Sequence, residues 1–475
     1  MHETNKYLGA SVPEAPVITS RVRWLYGFGS VAYGVKDNGF SFFLLFYYNQ
    51  VLGLPGAYAG AAILIAMVFD AASDPLVGVW SDNTHSRLGR RHPFMYASAL
   101  PVAIIYFFLW NPPQLNDFHL FIYLTVTAIL IRFFITLYEI PSSSIVAELT
   151  DDYDERTRLL SFRYMMGWYG GLTMALLMWG VFMTMHGERS ETAYRLYGTV
   201  GAIAMLVSIL GSSAGLHKYI PYLKAPPERD SYAISNLLRD LKVTISNRNF
   251  GALFCAGLFA AIAGGVSTNF NTYMNLHFWE FTPEQMRWII LVLFCSAGLA
   301  AILAPIVTHR FDKKRSAMGI YAVAIVFGAM PVLLRLAGFF PGNDSPYLYP
   351  ILMCHAMLDI TLIVMFSIVQ SSMLADIVEH SEMSTGRREE GLFFAARTFA
   401  AKATSGLGAF FAGVALDIIS FPRDAAPGDV PADIVWNLGF IYGPSLMVFY
   451  LLALGSISFY RITRTGHDER VATLT

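Results

Sequence analysis

Charged residues are scarce in this sequence. Only 14% of its 475 residues are Asp, Glu, Lys or Arg, whereas a soluble domain carries about 25%. The hydrophobic fraction is 55% and the net charge is −1, so no basic excess suggests nucleic acid as a partner. The shortage of charge indicates that lipid, rather than water, surrounds most of the chain.

Cysteine is equally rare, and the motifs of several enzyme classes are missing. Cys255, Cys295 and Cys354 all lie inside apolar runs, which predicts small buried side chains and no disulfide framework or metal-ligand spacing. No G-x-x-x-x-G-K-[ST] segment occurs, so nucleotide hydrolysis is not the expected energy source. His355 is the one histidine clearly within an apolar run. We therefore expect neither enzyme activity nor a cofactor.

Apolar runs of membrane-spanning length dominate the chain. A helix needs roughly 20 apolar residues to cross a bilayer, and twelve such runs can be placed. They lie near residues 22–51, 55–81, 94–111, 118–147, 160–185, 195–217, 250–275, 285–308, 316–339, 347–376, 391–419 and 435–460. The pattern predicts an all-α membrane protein: an N-terminal six-helix bundle over 1–217, a cytoplasmic central loop over 218–249, and a C-terminal six-helix bundle over 250–475. Such a long central loop between six-helix halves is typical of major facilitator transporters.

Lysine and arginine alternate between the two sides of the predicted membrane. Basic clusters follow the second, sixth, eighth and tenth runs, whereas loops such as NPPQLNDF and GFFPGNDSP hold none. Cytoplasmic loops carry the excess of Lys and Arg. We therefore predict that both termini are cytoplasmic, in an inner-membrane protein.

Several ionisable residues lie within the apolar runs. In the first half they are Asp37, Asp70, Asp74, Glu139 and Arg163, and in the second half Lys402 follows Arg397 by five residues. A charge inside a membrane helix costs several kcal/mol and therefore faces the bundle interior or a water-filled cavity. These residues are the first candidates for a functional site.

Asp70 and Asp74 are separated by one helical turn and share one face of the second helix. Two carboxylates this close require a cation, a proton or a basic side chain between them. Ser73 offers a further oxygen, and oxygen ligands suit hard cations such as Na⁺. The alternative is a simple cap at the end of the helix. We expect a site for a coupling cation, with Lys402 as its counter-charge rather than a side chain reaching the membrane surface.

The order of these motifs resembles the glycoside–pentoside–hexuronide cation symporters of the major facilitator superfamily. The matching segments are Lys36-Asp37, the run DAASDP from Asp70, the run TLYEIP from Thr136, Arg163, Lys402 and ADIVEHSE from Ala375. The resemblance covers nearly the whole chain. It implies a secondary symporter that works by alternating access.

The resemblance also implies roles for individual residues. Thr136 would complete the cation site of Asp70, Ser73 and Asp74. The sugar hydroxyls would be held by Asp37, Glu139 and Arg163. A cytoplasmic gate would contain Asp376, Glu379 and Arg388.

Two departures from the family pattern leave the substrate open. Glu139 replaces the usual aspartate, and Arg397 replaces an uncharged residue. Arg397 suits an anionic substrate such as a hexuronide, or it pairs with Glu139 or another acid. The DPLVG segment from Asp74, the third run ending in Trp110 and the FF pair at the start of the eleventh run also resemble the vertebrate sodium–lysophospholipid symporters. We expect a Na⁺- or H⁺-coupled importer of a sugar, glycoside or hexuronide that functions as a monomer, with lysophospholipid transport as the alternative.

Overall fold

The computed structural model describes residues 18–150, 152–223, 248–311, 313–385 and 390–459. Regular structure within these ranges is entirely helical, and nine of their helices are long and apolar enough to span a membrane. Each of the twelve predicted runs coincides with helical structure. We number them α1 (20–51), α2 (Gly56–Asp82), α3 (His92–Leu109), α4 (Asp117–Ser144), α5 (153–186), α6 (Glu191–Leu216), α7 (248–278), α8 (Pro283–Arg310), α9 (Lys313–Leu336), α10 (Leu348–Thr385), α11 (Glu390–Ile418) and α12 (Ala432–Ser458).

The first helix is the most irregular of the described elements. It consists of Ser20–Phe28 and Val31–Asn38, followed by two π-helical turns at Gly39–Phe43 and Tyr47–Val51. Single π-turns inside α-helices are frequent at functional sites. Lys36 and Asp37 lie immediately before the first of these turns.

An aromatic cluster ties α1 to α3 and α6. Trp110, Tyr47, Tyr106, Tyr194 and Tyr197 are all fully buried. Tyr47 also donates a hydrogen bond to the Trp110 carbonyl at 3.2 Å. Large buried aromatic side chains contribute strongly to packing. The cluster therefore stabilises the first half of the chain, the described residues before 224.

The three cysteines correct one prediction from the sequence. Cys255, Cys295 and Cys354 are free and exposed on the protein surface, so the prediction that they are buried was wrong. The physical reason is the solvent: apolar side chains on a membrane bundle gain nothing by leaving lipid, which is as apolar as they are.

The two halves contact each other at one end of the bundle. The backbone N–H groups of Gly56 and Ala57 donate to the Asp417 carboxylate at 2.9 and 2.7 Å, which caps the start of α2. At the same end, Thr272 donates to the Phe42 carbonyl at 2.7 Å. These contacts join the two halves at the end of the bundle where α2 begins and α11 ends; that this end faces the outside stays a prediction. The division into bundles at residues 217 and 250 stays a prediction, since 224–247 lie outside the described ranges.

Glycines allow α2 and α11 to cross closely at this end. A Cβ atom at Gly413 would lie 2.0 Å from the carbonyl oxygen of Gly56, a backbone atom. We therefore expect Gly413→Val to force the helices apart and to lower the free energy of unfolding by about 1–3 kcal/mol, the usual cost of overpacking. Chemical denaturation in detergent measures this loss. Gly455→Val is the matched control, because a Cβ atom there meets open space; equal losses in both variants would contradict the close crossing.

Candidate functional site

The structure gathers two acids, two bases and one hydroxyl between α2, α4 and α11. Asp70 is 1% exposed, and its carboxylate accepts a hydrogen bond from Arg132 at 2.9 Å. Lys402 Nζ lies 3.1 Å from Asp70 Oδ2 and 2.5 Å from Asp74 Oδ2. Thr136 Oγ1 lies 3.0 Å from one oxygen of each carboxylate. We call these five residues the aspartate cluster.

Helical periodicity explains the shape of the aspartate cluster. Asp70 and Asp74 are one turn apart on α2, and Arg132 and Thr136 are one turn apart on α4, so the side chains of both pairs project toward the facing helix. Lys402 reaches them from α11, which belongs to the other half of the chain. The cluster is therefore an ionic link between the two halves of the chain.

The four charges of the cluster sum to zero, but the two bases are held differently. Arg132 is 3% exposed and packs with its guanidinium 4.5 Å from the centre of the Phe40 ring. The Lys402 side chain is 24% exposed. A hydroxyl has a single proton, so Thr136 donates to one carboxylate at a time. Lys402 is thus the partner that can leave with the least disruption of packing.

Sequence reasoning missed Arg132. It lies in the long apolar run of α4, four residues before Thr136 and seven before Glu139. Positions i, i+4 and i+7 fall on one helix face, so the spacing to Thr136 was the signal that could have identified it. Arg132 is the buried base that was needed to balance two carboxylates.

Ser73 does not join the cluster. Its hydroxyl donates to the backbone carbonyl of Asp70 at 3.1 Å. Successive residues of an α-helix are rotated by about 100° around its axis, so Ser73 and Asp74 project in different directions from α2. Ser73 therefore points away from Asp74, and its predicted contribution of an oxygen ligand has no contact in this structure to support it.

A second charged group lies between α1, α4 and α5. Lys36 Nζ is 2.9 Å from Asp37 Oδ1 and 4.0 Å from Glu139 Oε2. The Lys36 side chain is 4% exposed, whereas the carboxylates of Asp37 and Glu139 belong to side chains that are 59% and 31% exposed. The buried Lys36 ammonium therefore lies beside two carboxylates, those of Asp37 and Glu139, that remain accessible as hydrogen-bond acceptors.

Arg163 has a different position from the one expected for direct substrate contact. It is 5% exposed, donates to Ser142 Oγ at 2.8 Å and to the Glu139 backbone carbonyl at 3.2 Å. Its guanidinium also lies 5.2 Å from the centre of the Tyr33 ring. Arg163 therefore fixes the backbone of α4 beside Pro141, and does not bind the Glu139 carboxylate.

The remaining predicted site residues lie outside the described part of the molecule. This applies to the side chains of Asp376, Glu379 and Arg397, and to Arg388. The predicted gate and the role of Arg397 stay predictions. In the described residues no group of three or more acids, histidines and cysteines forms a metal site, so a cation at Asp70 and Asp74 would need oxygens from Thr136, the backbone or water.

The basic loop after α2 is anchored separately. Arg90 and Arg91 both bind the buried Glu148 carboxylate, at 2.7 and 3.1 Å, and Arg91 also pairs with Asp82. Glu148 lies in the short helical turn after α4. Asp82 therefore helps to hold the loop after α2 in place, while Asp70 and Asp74 lie two to three turns earlier in the same helix.

Comparison with known proteins agrees with this architecture. The family model described as MFS/sugar transport protein matches residues 25–464. The crystal structure of the nucleoside transporter NupG superimposes with a TM-score of 0.62 at 15% identity over 94% of this chain and 100% of that chain. At this identity the likeness shows the fold alone.

Relatives of similar length are named as transporters. The Escherichia coli protein YagG, whose name marks it as a candidate glycoside/cation symporter, is 24% identical over 94% of this chain and 92% of its own. The isoprimeverose transporter of Lactiplantibacillus pentosus is 21% identical over 98% and 94%. These are membrane transporters and not enzymes, as predicted. The chain therefore belongs to the MFS/sugar transport family, in agreement with the resemblance of its motifs to the glycoside–pentoside–hexuronide cation symporters.

Proposed function

We propose that this protein is a Na⁺- or H⁺-coupled symporter that imports a sugar, glycoside or hexuronide by alternating access. The observation that carries the proposal is the aspartate cluster: two carboxylates inside the bundle, with a base from the opposite half bound to both. A protein that served only as a membrane scaffold would have no need for such buried charges, because each costs several kcal/mol to place there.

The charge balance of the cluster suggests how the ion acts. A Na⁺ ion entering the neutral cluster adds one positive charge, and the least buried base, Lys402, is the one that yields. A proton acts similarly by neutralising Asp74, which weakens its attraction to Lys402. Either event loosens the contact between α2 and α11. The ion thereby changes the energy of the contact between the two halves, which alternating access requires.

The substrate site lies beside the cluster in this proposal. Asp37 and Glu139 offer carboxylate oxygens to sugar hydroxyls, and Lys36 and Arg163 hold the two acids and the backbone around them. The names of YagG and of the isoprimeverose transporter favour a glycoside. Trp110 is part of the resemblance to the vertebrate lysophospholipid symporters. Its side chain is buried and packs against tyrosines, so it is not positioned to contact a lipid substrate.

We expect Asp37→Asn and Glu139→Gln each to weaken the apparent affinity for the transported sugar. A hydrogen bond to a charged group is worth about 1.5–3 kcal/mol, which corresponds to roughly a 10- to 100-fold rise in KM. Concentration-dependent uptake measures the change. Asp429→Asn, an exposed loop acid, is the matched control. An unchanged KM in both site variants would remove Asp37 and Glu139 from the substrate site.

The proposal as a whole is tested with purified protein in liposomes. An inward Na⁺ or H⁺ gradient is imposed, and uptake of labelled glycosides, hexuronides and lysophospholipids is followed. Sugar accumulation that depends on one gradient supports the proposal and identifies the ion. Uptake of lysophospholipid alone would contradict it and favour the lipid alternative. Sugar uptake without any gradient dependence would exclude symport.

A further inference from the structure

The second half of the chain lines most of a cavity that is separate from the aspartate cluster. Its volume is about 300 Å³, and it is formed by α7, α8, α9, α10 and α12 with Phe42 of α1 at one side. Its polar lining includes Asp359, His355, Asn271, Ser267 and Tyr442. Asp359 is the one acid or formally charged side chain among the described residues that line it. Neither the motifs nor the proposed symport site uses this cavity.

Asp359 faces the cavity without a partner. Among the described residues, no hydrogen bond or ion pair joins its carboxylate, although the side chain is partly buried in the first third of α10. It packs against the backbone of α9 at Gly328, where an added Cβ atom would lie 2.8 Å from Asp359 Oδ1. The Asp359 side chain is therefore packed against α9 and is not simply exposed at the protein surface.

The contrast with the aspartate cluster defines what Asp359 can bind. Asp70 and Asp74 have Arg132 and Lys402 as partners, whereas no described lysine or arginine lines the cavity around Asp359. An ionised carboxylate without a partner is costly inside a membrane bundle. A sodium ion needs several oxygen ligands, and no second acid lies beside Asp359 in the described lining. A single carboxylate among neutral hydrogen-bonding groups suits a proton.

The titratable neighbours of Asp359 are few, and two of them have other partners. His355, one turn earlier on α10, lies 2.7 Å through Nε2 from the Phe327 carbonyl and stacks on the Phe327 ring at 4.6 Å. On α12, Tyr442 accepts a hydrogen bond from Ser267 at 3.2 Å. Tyr321 of α9 and Tyr450 of α12 also line the adjoining space, while the described lining from α7 and α8 brings no ionisable side chain. Of these groups only His355 can carry a positive charge, and only when its imidazole is protonated.

We propose that Asp359 is a proton-binding site of the second half, separate from the aspartate cluster, and that it carries a proton when no solute is bound in the cavity. The bond formed is the O–H bond of a carboxylic acid; the proton comes from a hydronium ion of the bulk solvent, which becomes a water molecule. Among the described residues that line this cavity, a protonated Asp359 leaves no formal charge when His355 is neutral. This proposal does not depend on which solute the protein carries.

Infrared difference spectroscopy tests the proposal without any solute. The carbonyl stretch of a protonated carboxylic acid is distinct from the bands of a carboxylate and of the peptide group. We expect the spectrum of the purified protein at neutral pH to contain such a band that Asp359→Asn removes and that hydrogen–deuterium exchange shifts. Asp429→Asn, at an exposed loop position, should leave it unchanged.

Asp359→Glu provides a second variant in case the asparagine variant fails to fold. It retains an acid in the same cavity, and we expect its carbonyl band to move rather than to disappear. A protein whose carbonyl bands are identical in the wild type and in every folded Asp359 variant would overturn the proposal. Because no transport is measured, that outcome would leave the proposed symport function intact.

Discussion

Asp74→Asn is expected to abolish ion-driven accumulation of the solute. Asparagine keeps the size of the side chain and removes its charge, so the aspartate cluster changes from neutral to a net charge of +1 around Asp70, Arg132 and Lys402. A positive cluster repels the coupling cation. Loss of a hydrogen-bonded charge contact of about 1.5–3 kcal/mol weakens the affinity for the ion by roughly 10- to 100-fold.

The measurement compares accumulation with exchange in the same liposomes. With the wild-type protein, an imposed gradient should raise the internal solute concentration above the external one. With Asp74→Asn, the two concentrations should only become equal, because the solute site between Asp37 and Glu139 is intact. Asp429→Asn should behave as the wild type. Full accumulation by Asp74→Asn would show that the ion binds elsewhere, and Asp359 would then be the first residue to examine.

The helices and the acids of the cluster were predictable because each stands out against its surroundings. A carboxylate in an apolar run is rare, and a spacing of four residues places Asp70 and Asp74 on one helix face. Which base comes near them depends on the packing of α4 and α11 against α2. Periodicity within a single helix contains no information on that packing. The prediction that Lys402 is the counter-charge of the two aspartates therefore rested on charge complementarity.

Other features depended on orientations that the sequence only partly constrains. Ser73 is adjacent to Asp74 in sequence but turned away from it, and its hydroxyl is satisfied by the backbone. Arg163 binds the backbone of α4 instead of an acid. The cysteines were assigned to the interior by a rule learned from proteins in water, where apolar side chains avoid the solvent. In lipid that preference disappears.

Arg132→Met is expected to destabilise the protein strongly. Arg132 and Asp70 are 3% and 1% exposed at their side chains and lie 2.9 Å apart. Removing one member of a buried ion pair leaves an uncompensated charge, which typically lowers the free energy of unfolding by about 3–5 kcal/mol. Arg195→Met is the matched control, because Arg195 pairs with Glu191 on the surface and such pairs contribute about 0–1 kcal/mol.

The double variant Arg132→Met with Asp70→Asn separates charge balance from packing. If the loss in Arg132→Met arises from the excess negative charge that the cluster then carries, neutralising Asp70 should recover most of the stability, as measured by chemical denaturation in detergent. If the loss arises from the methylene groups and the contact with Phe40, the second substitution should add a further loss instead. Recovery would show that Arg132 is retained to balance Asp70, which leaves Lys402 as the base that is free to respond to the coupling ion.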